Sequence, residues 1–433
     1  MRRLFTNMGW LLGGRGFNAV LSLVYLALAT RTLGLDGFGH FAIIVALGQM
    51  VTGLANFQTW QFVVRWGSGE EGPGEATGFA IALDMLSVAF GAVAAGVLVW
   101  TAQLWLPLPD DLLWVAFGFC IVSLLSIRTT PTGLLRLRFQ YAKATAAEAV
   151  QPAIRAGGAI LAWVFMPTVT GFILAWAAAE VAVATALWIV AAQQERIDLS
   201  RVSLRKIPRG HPDAWRFVWS TNMSGSLTIA GKQVMILMVG SIGGEALAGG
   251  FRVASQLGQA LVSLAQTVSK AIYPELVHAK EDALIIARRM ANIALIGGVM
   301  AVAVSLLAGR WALEAIAGPE FNGFYWAMVI LAIAGAVELV GASLESLLVS
   351  AGKAHTAFLV RAGPTILALL TLDIAINWNG AKGAAFAVLG SSALAVIGFY
   401  VAMLNMQQIR ISLAPPNGAT DPKKSETTPQ QDG

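Results

Sequence analysis

Five basic residues, Arg15, Arg155, Lys232, Arg252 and Arg361, and five acids, Asp84, Glu180, Glu338, Glu345 and Asp373, stand among almost exclusively apolar neighbours. An unpaired charge in such a setting costs at least about 2.5 to 3.5 kcal/mol on insertion scales, so each must meet a partner or water. The chemistry open to them is ion pairing, capture of an anion by guanidinium and ammonium groups, and relay of a proton or sodium ion through carboxylates. Cys120 is the only cysteine and lies in an apolar run, which excludes an intrachain disulfide and a thiolate metal site. His40, His211, His278 and His355 are scattered singly, so no metal centre is expected. The stretch from Gly225 to Gln233 approaches a phosphate-binding loop, but five residues separate its glycines and no Ser or Thr follows Lys232. No nucleotide-hydrolysing engine and no cofactor are expected.

The elements that hold these residues follow from composition. Of 433 residues, 57% are hydrophobic and 12% charged, about half the charged share of a soluble domain. That excludes a soluble enzyme. Uncharged runs such as 37–64, 85–109, 156–179 and 383–409 suffice to cross the hydrocarbon core, which needs about 20 apolar residues as helix. Hydropathy predicts an all-α polytopic membrane protein of about twelve helices, beginning near Met8, Phe38, Thr77, Leu112, Ala146, Val169, Phe217, Ala246, Met290, Phe324, Thr356 and Gly383. The first follows Arg2 and Arg3 without a small-residue cleavage site, so it reads as a retained helix. Counted from a cytoplasmic amino terminus, the inside segments carry 21 of the 29 basic residues and the outside segments three, Arg31, Arg310 and Lys382. This asymmetry predicts cytoplasmic termini and explains the net charge of +5 without nucleic acid.

The basic segment 192–215, with Pro208 and Pro212, divides the chain into an N-terminal lobe, 1–191, and a C-terminal lobe, 216–413, of six spans each. Residues 414–433 hold four prolines and no large apolar side chain, and are expected to form a disordered cytoplasmic tail. The halves repeat. Phe41 to Gln49 aligns with Phe251 to Gln259 at an offset of 210, and Arg155 to Ala162 matches Arg361 to Ala368 at six of eight positions at an offset of 206. Thr6-Asn7-Met8 recurs as Thr221-Asn222-Met223. Six spans return the chain to its starting side, so the copies share one topology about an axis along the membrane normal. The substrate site of such a transporter lies between them.

The opening from Asn7 and the string Arg31-Thr-Leu-Gly-Leu-Asp-Gly-Phe-Gly39 resemble bacterial polysaccharide flippases, the polysaccharide transporter family of the multidrug/oligosaccharidyl-lipid/polysaccharide superfamily. Gly34, Gly37 and Gly39 suit a tight turn that Asp36 could cap. The resemblance implies export of undecaprenyl-diphosphate-linked oligosaccharide by alternating access in the cytoplasmic membrane, with a polysaccharide polymerase as a candidate partner. It also implies a cavity lined by spans 1, 2, 7 and 8. Those spans hold Arg15, Lys232 and Arg252 and no acid, which suits a diphosphate. Arg155 and Arg361, beside Pro152 and Pro364, are expected to bond carbonyls freed by kinks. Asp84, Glu180, Glu338, Glu345 and Asp373 are helix-to-helix partners or an ion relay. Two rivals are weighed: a multidrug and toxin extrusion type exporter, which calls for acids in the cavity, and a membrane glycan polymerase or ligase. An enzyme of that kind needs a sizeable outer loop, and the outer segments here, such as 106–111 and 166–168, are short.

Overall fold

The computed structural model describes residues 2–69, 72–211, 213–278, 283–350 and 353–413, and the side chains of most of these outside 2–17, 220–229, 264–294 and 405–413. Fourteen α-helices occur among the described residues. The N-terminal lobe comprises α1 (Arg2–Ala55), α2 (Thr59–Gly67), α3 (Gly72–Trp100), α4 (Asp110–Leu125), α5 (Thr129–Leu137), α6 (Tyr141–Glu148), α7 (Val150–Phe165) and α8 (Val169–Gln194). After the short α9 (Lys206–Gly210), the C-terminal lobe comprises α10 (Asp213–His278), α11 (Ala283–Ala317), α12 (Tyr325–Ser350), α13 (Ala354–Leu370) and α14 (Leu372–Leu413). The tail 414–433 lies outside the described residues.

Three of these helices are folded double. Tyr25 and Phe41 of α1 would stand roughly 24 Å apart in a straight helix, yet both rings lie edge-on to Trp176, at 5.0 and 5.4 Å. The chain reverses at Gly34, whose φ of 68° is open to glycine and strained for other residues. In α10 it reverses at Gly244, with φ of 84°. A Cβ on Gly240 would lie 3.2 Å from that of Ala248, eight residues along. In α14 it reverses at Asn379 and Gly380. Eight stretches are long and apolar enough to cross a membrane. With Gly34 and Gly244 each dividing one stretch into two arms, and the shorter α7 and α13 added, the described residues offer twelve candidate crossings, the number hydropathy predicts.

Gly34 and Gly244 are 210 residues apart, the offset of the repeat. The reversals gather on one side. Gly34 adjoins Glu320, Gly37 adjoins Val169 and Gly380 adjoins Leu247. Trp100, Trp114, Trp163, Trp311, Trp326 and Trp378 stand exposed beside these turns. This is the aromatic girdle expected where helices leave the hydrocarbon, and it escapes a reading made from charge alone. On the opposite side the connecting segment folds onto the base of α3. Ile207 is fully buried, Lys206 reaches Glu75 at 3.5 Å, and Arg201 lies against Gly74 and Gly78.

The lobes meet mainly through α1 and α10. A Cβ on Gly39 would collide with the carbonyl oxygen of Glu245, and one on Gly249 would fall 2.9 Å from that of Leu35. Arg31 donates to the carbonyl of Ala315 at 2.5 Å, and the Leu35 amide donates to Glu320 at 3.2 Å. These bonds close the turn side. On the linker side, the first turns of α10 rest on the N-terminal lobe, where Arg65 lies 4.7 Å from the rings of both Trp66 and Phe217.

Candidate functional site

Below the closed turn side two polar chambers adjoin, sharing Gln49, Arg155 and Gln233 in their walls. The larger, about 470 Å³, lies between the lobes, and its polar wall includes Tyr25, Lys232, Arg252, Gln256, Glu338 and Arg361. The other, about 440 Å³, penetrates the N-terminal lobe and is walled by Asn56, Asp84, Ser87, Arg128 and Glu180, among others.

The structure therefore places Lys232 and Arg252 on one cavity wall. Arg252 is buried there, and no carboxylate lies within ion-pair distance of either cation among the described residues. Tyr25, also on this wall, shares hydrogen bonds with Gln256. Arg15 belongs to α1, but its side chain lies outside the described residues. Spans outside 1, 2, 7 and 8 also contribute to this wall. Helix α12 contributes Glu338, which accepts a bond from Ser392 at 3.1 Å, so the cavity is cationic without being acid-free.

Arg155 and Arg361 are not carbonyl ligands at proline kinks. Arg155 donates to Glu180 at 2.7 Å, and its guanidinium lies 3.8 Å from the centroid of Trp176. Glu180 also pairs with Arg128 at 2.9 Å and accepts from Gln151 at 2.8 Å. Arg361 donates to Glu345 at 2.6 Å. A planar fork beside a carboxylate makes a shorter, stronger bond than it can with a kinked backbone. Each arginine nevertheless keeps a buried Nε with no acceptor, an arrangement that costs about 1 to 3 kcal/mol. Pairing between α7 and α8, or α12 and α13, is invisible to hydropathy. An i,i+4 search would not find it either.

Asp84 lies where two crossings are broken. Helix α1 gives way to α2 through Gln58, at φ of 52°, and α4 gives way to α5 through Ser126–Arg128. Neither α2 nor α5 has a side-chain cap from its own N-cap residue. Asp84 of α3 ties the two helix starts together, accepting from the hydroxyls of Thr59 at 3.0 Å, Thr129 at 3.1 Å and Thr130. Irregular backbone at membrane depth is tolerated where protein or a wet cavity satisfies it, and here both do so. Ser87, one turn along α3, is buried on the chamber with its hydroxyl unpaired. Asp373 is exposed beside the Gly380 turn and accepts from Asn377, away from both chambers. Among the described residues no cluster of three or more His, Cys, Asp and Glu could hold a metal ion.

Helices doubled back at Gly34 and Gly244 around a polar cavity form a fold shared with solved membrane proteins. The chain superposes on the lipid II flippase MurJ in an inward closed conformation with a TM-score of 0.74 and 12% identity, over 93% of this chain and 90% of that one. It superposes on an inward-facing multidrug resistance MATE family transporter of the MOP superfamily with a TM-score of 0.68 and 14% identity, over 91% and 96%. The MATE multidrug transporter DinF-BH gives 0.63 at 16% identity, over 95% and 97%. Residues 4–280 match the family model for polysaccharide biosynthesis proteins, and the chain belongs to that family. It is 29% identical over 284 residues to the inner membrane protein YghQ of Escherichia coli K12, 63% of this chain and 80% of that one.

Proposed function

We propose that the chain is a flippase carrying undecaprenyl-diphosphate-linked oligosaccharide across the bacterial inner membrane for surface polysaccharide assembly, by alternating access of its two lobes. The observation that carries this reading is the between-lobe cavity, where Lys232 and Arg252 stand with no carboxylate in ion-pair reach among the described residues. Such cations suit a diphosphate, whose oxygens accept charge-assisted bonds. Arg15, on the first crossing, joins them in this proposal. Membership of a polysaccharide biosynthesis family supports a glycan cargo, and the inner membrane relative supports the location. The 21 to 3 distribution of basic residues supports cytoplasmic termini. The diphosphate and sugars pass through the wet cavity while the polyprenyl tail stays in lipid.

The test is export of surface glycan in cells that depend on this chain. The Arg15→Glu, Lys232→Glu double variant should reach the membrane at normal abundance and export none. Undiminished export in that variant would remove the cationic site. A second reading, a multidrug and toxin extrusion type exporter, is favoured by Glu338 on the cavity wall. It requires resistance to organic cations that is lost in Glu338→Gln, an outcome the flippase reading excludes.

A further inference from the structure

Arg155 and Arg361 occupy matching positions of the repeat, at an offset of 206, one on α7 of the N-terminal lobe and the other on α13 of the C-terminal lobe. Both lie on the wall of the same between-lobe cavity. Both are held from behind in the same way, one terminal nitrogen bonded to a carboxylate, at 2.7 Å to Glu180 and 2.6 Å to Glu345. Both leave Nε buried and without an acceptor. The ring of Trp176 further fixes Arg155, with Tyr25 and Phe41 against its edges. With Nε enclosed and one terminal nitrogen held by a carboxylate, the remaining terminal edge of each fork, on side chains 18% and 35% exposed, is preorganised at the cavity wall for a further oxyanion.

We infer that Arg155 and Arg361 form a two-armed clamp for the two phosphates of the cargo, one phosphate to each lobe. An axis that relates the lobes relates the arms, so the ligand that satisfies both at once carries two like anionic groups at its centre. A diphosphate does; a monophosphate satisfies one arm. When the lobes rock, the arms move with different lobes, so the diphosphate couples the lobes while bound. The carboxylates behind the arms act as positioning groups, keeping each fork at the wall. This inference rests on the functional reading above and assigns the charge recognition to a pair of residues additional to Lys232 and Arg252.

The test is binding of undecaprenyl diphosphate and undecaprenyl monophosphate to the full chain in nanodiscs, measured side by side. Wild type should prefer the diphosphate. In Arg155→Lys and Arg361→Lys, which keep the charge and the carboxylate pair but lose the fork, the diphosphate should weaken about tenfold, the worth of one charge-assisted bond. Monophosphate binding should fall less, so the preference narrows. The double variant Arg361→Gln, Glu345→Gln removes an arm without stranding an acid and must narrow it too, with a melting temperature near wild type showing that it folds. A preference that survives in all three overturns the clamp alone. Wild-type protein that binds neither lipid overturns the flippase reading, and the clamp with it.

Discussion

Gly39 and Gly249 occupy equivalent places in the two halves, and each lies where a side chain would strike the backbone of the opposite half, at Glu245 and Leu35 respectively. Glu245 and Leu35 are themselves 210 residues apart, so the contact is made twice by one rule, as in the isologous interface of a dimer. With no Cβ at either position the two hairpins approach backbone to backbone and close the turn side of the cavity. Gly39→Leu and Gly249→Leu should therefore hold the lobes apart there. Spin labels at Asp36 and Ala246 in a Cys120→Ala background should report a longer distance than in the parent, and export should cease. An unchanged distance would show that the seal lies elsewhere.

The sidedness of the chain can be read from cysteines placed in the same background. Cys120 is buried, so Cys120→Ala is the mild replacement. Cysteines at Asp36 and Asp110, exposed on the turn side, should react with an impermeant reagent in intact cells. One at Leu199, exposed in the connecting segment, should react only after lysis. The reverse pattern would invert the orientation.

Glu180 is the common partner of Arg128 and Arg155. Its loss strands a buried guanidinium, for which the penalty is about 3 to 5 kcal/mol. Glu180→Gln should lower the melting temperature in detergent sharply, whereas Arg128→Gln, removing a partner whose side chain is 41% exposed, should lower it less. Equal effects would refute the ranking.

Asp84 stitches together the ends of α2 and α5. Asp84→Asn should cost about 1 to 3 kcal/mol of stability, the penalty of buried donors losing an acceptor. Hydrogen exchange should rise at the amides of α2 and α5 before it rises in α3. Faster exchange in α3 first would assign Asp84 some other task, the ion relay being the one to pursue.

A diphosphate carries roughly two negative charges, and each charge crossing the membrane is worth about 2.3 kcal/mol per 100 mV. With the cytoplasm negative, outward passage gains some 4 to 5 kcal/mol per 100 mV, provided the cavity cations hold their depth as the lobes rock. In right-side-out liposomes loaded with lipid-linked oligosaccharide, an inside-negative potassium diffusion potential should accelerate export with no proton or sodium gradient. Dependence on such a gradient instead would direct attention to Asp84, Glu180, Glu338, Glu345 and Asp373 in turn.

Twelve crossings and the duplication are legible because apolar length and the spacing of identical residues survive in one dimension. The Gly34 and Gly244 pair is harder to see, since its flanks, Leu33 and Leu35 against Gly243 and Glu245, differ almost entirely while the backbone angles agree. The breaks at Gln58 and Ser126–Arg128 escape hydropathy because their polar residues, Asn56, Gln58 and Arg128 among them, are averaged with the apolar runs on either side. Arg155 and Arg361 stand out as costly charges, but Glu180 and Glu345 approach them from neighbouring helices whose rotation no linear pattern records. Glu338 is missed as a cavity residue for the same reason.

The Arg155–Glu180 and Arg361–Glu345 pairs are built from opposite directions along the chain. Arg155 finds its acid on the helix that follows, α8, while Arg361 finds its acid on the helix that precedes, α12. The guanidinium is what the two halves hold in common, and the direction from which its counter-charge arrives is where they differ.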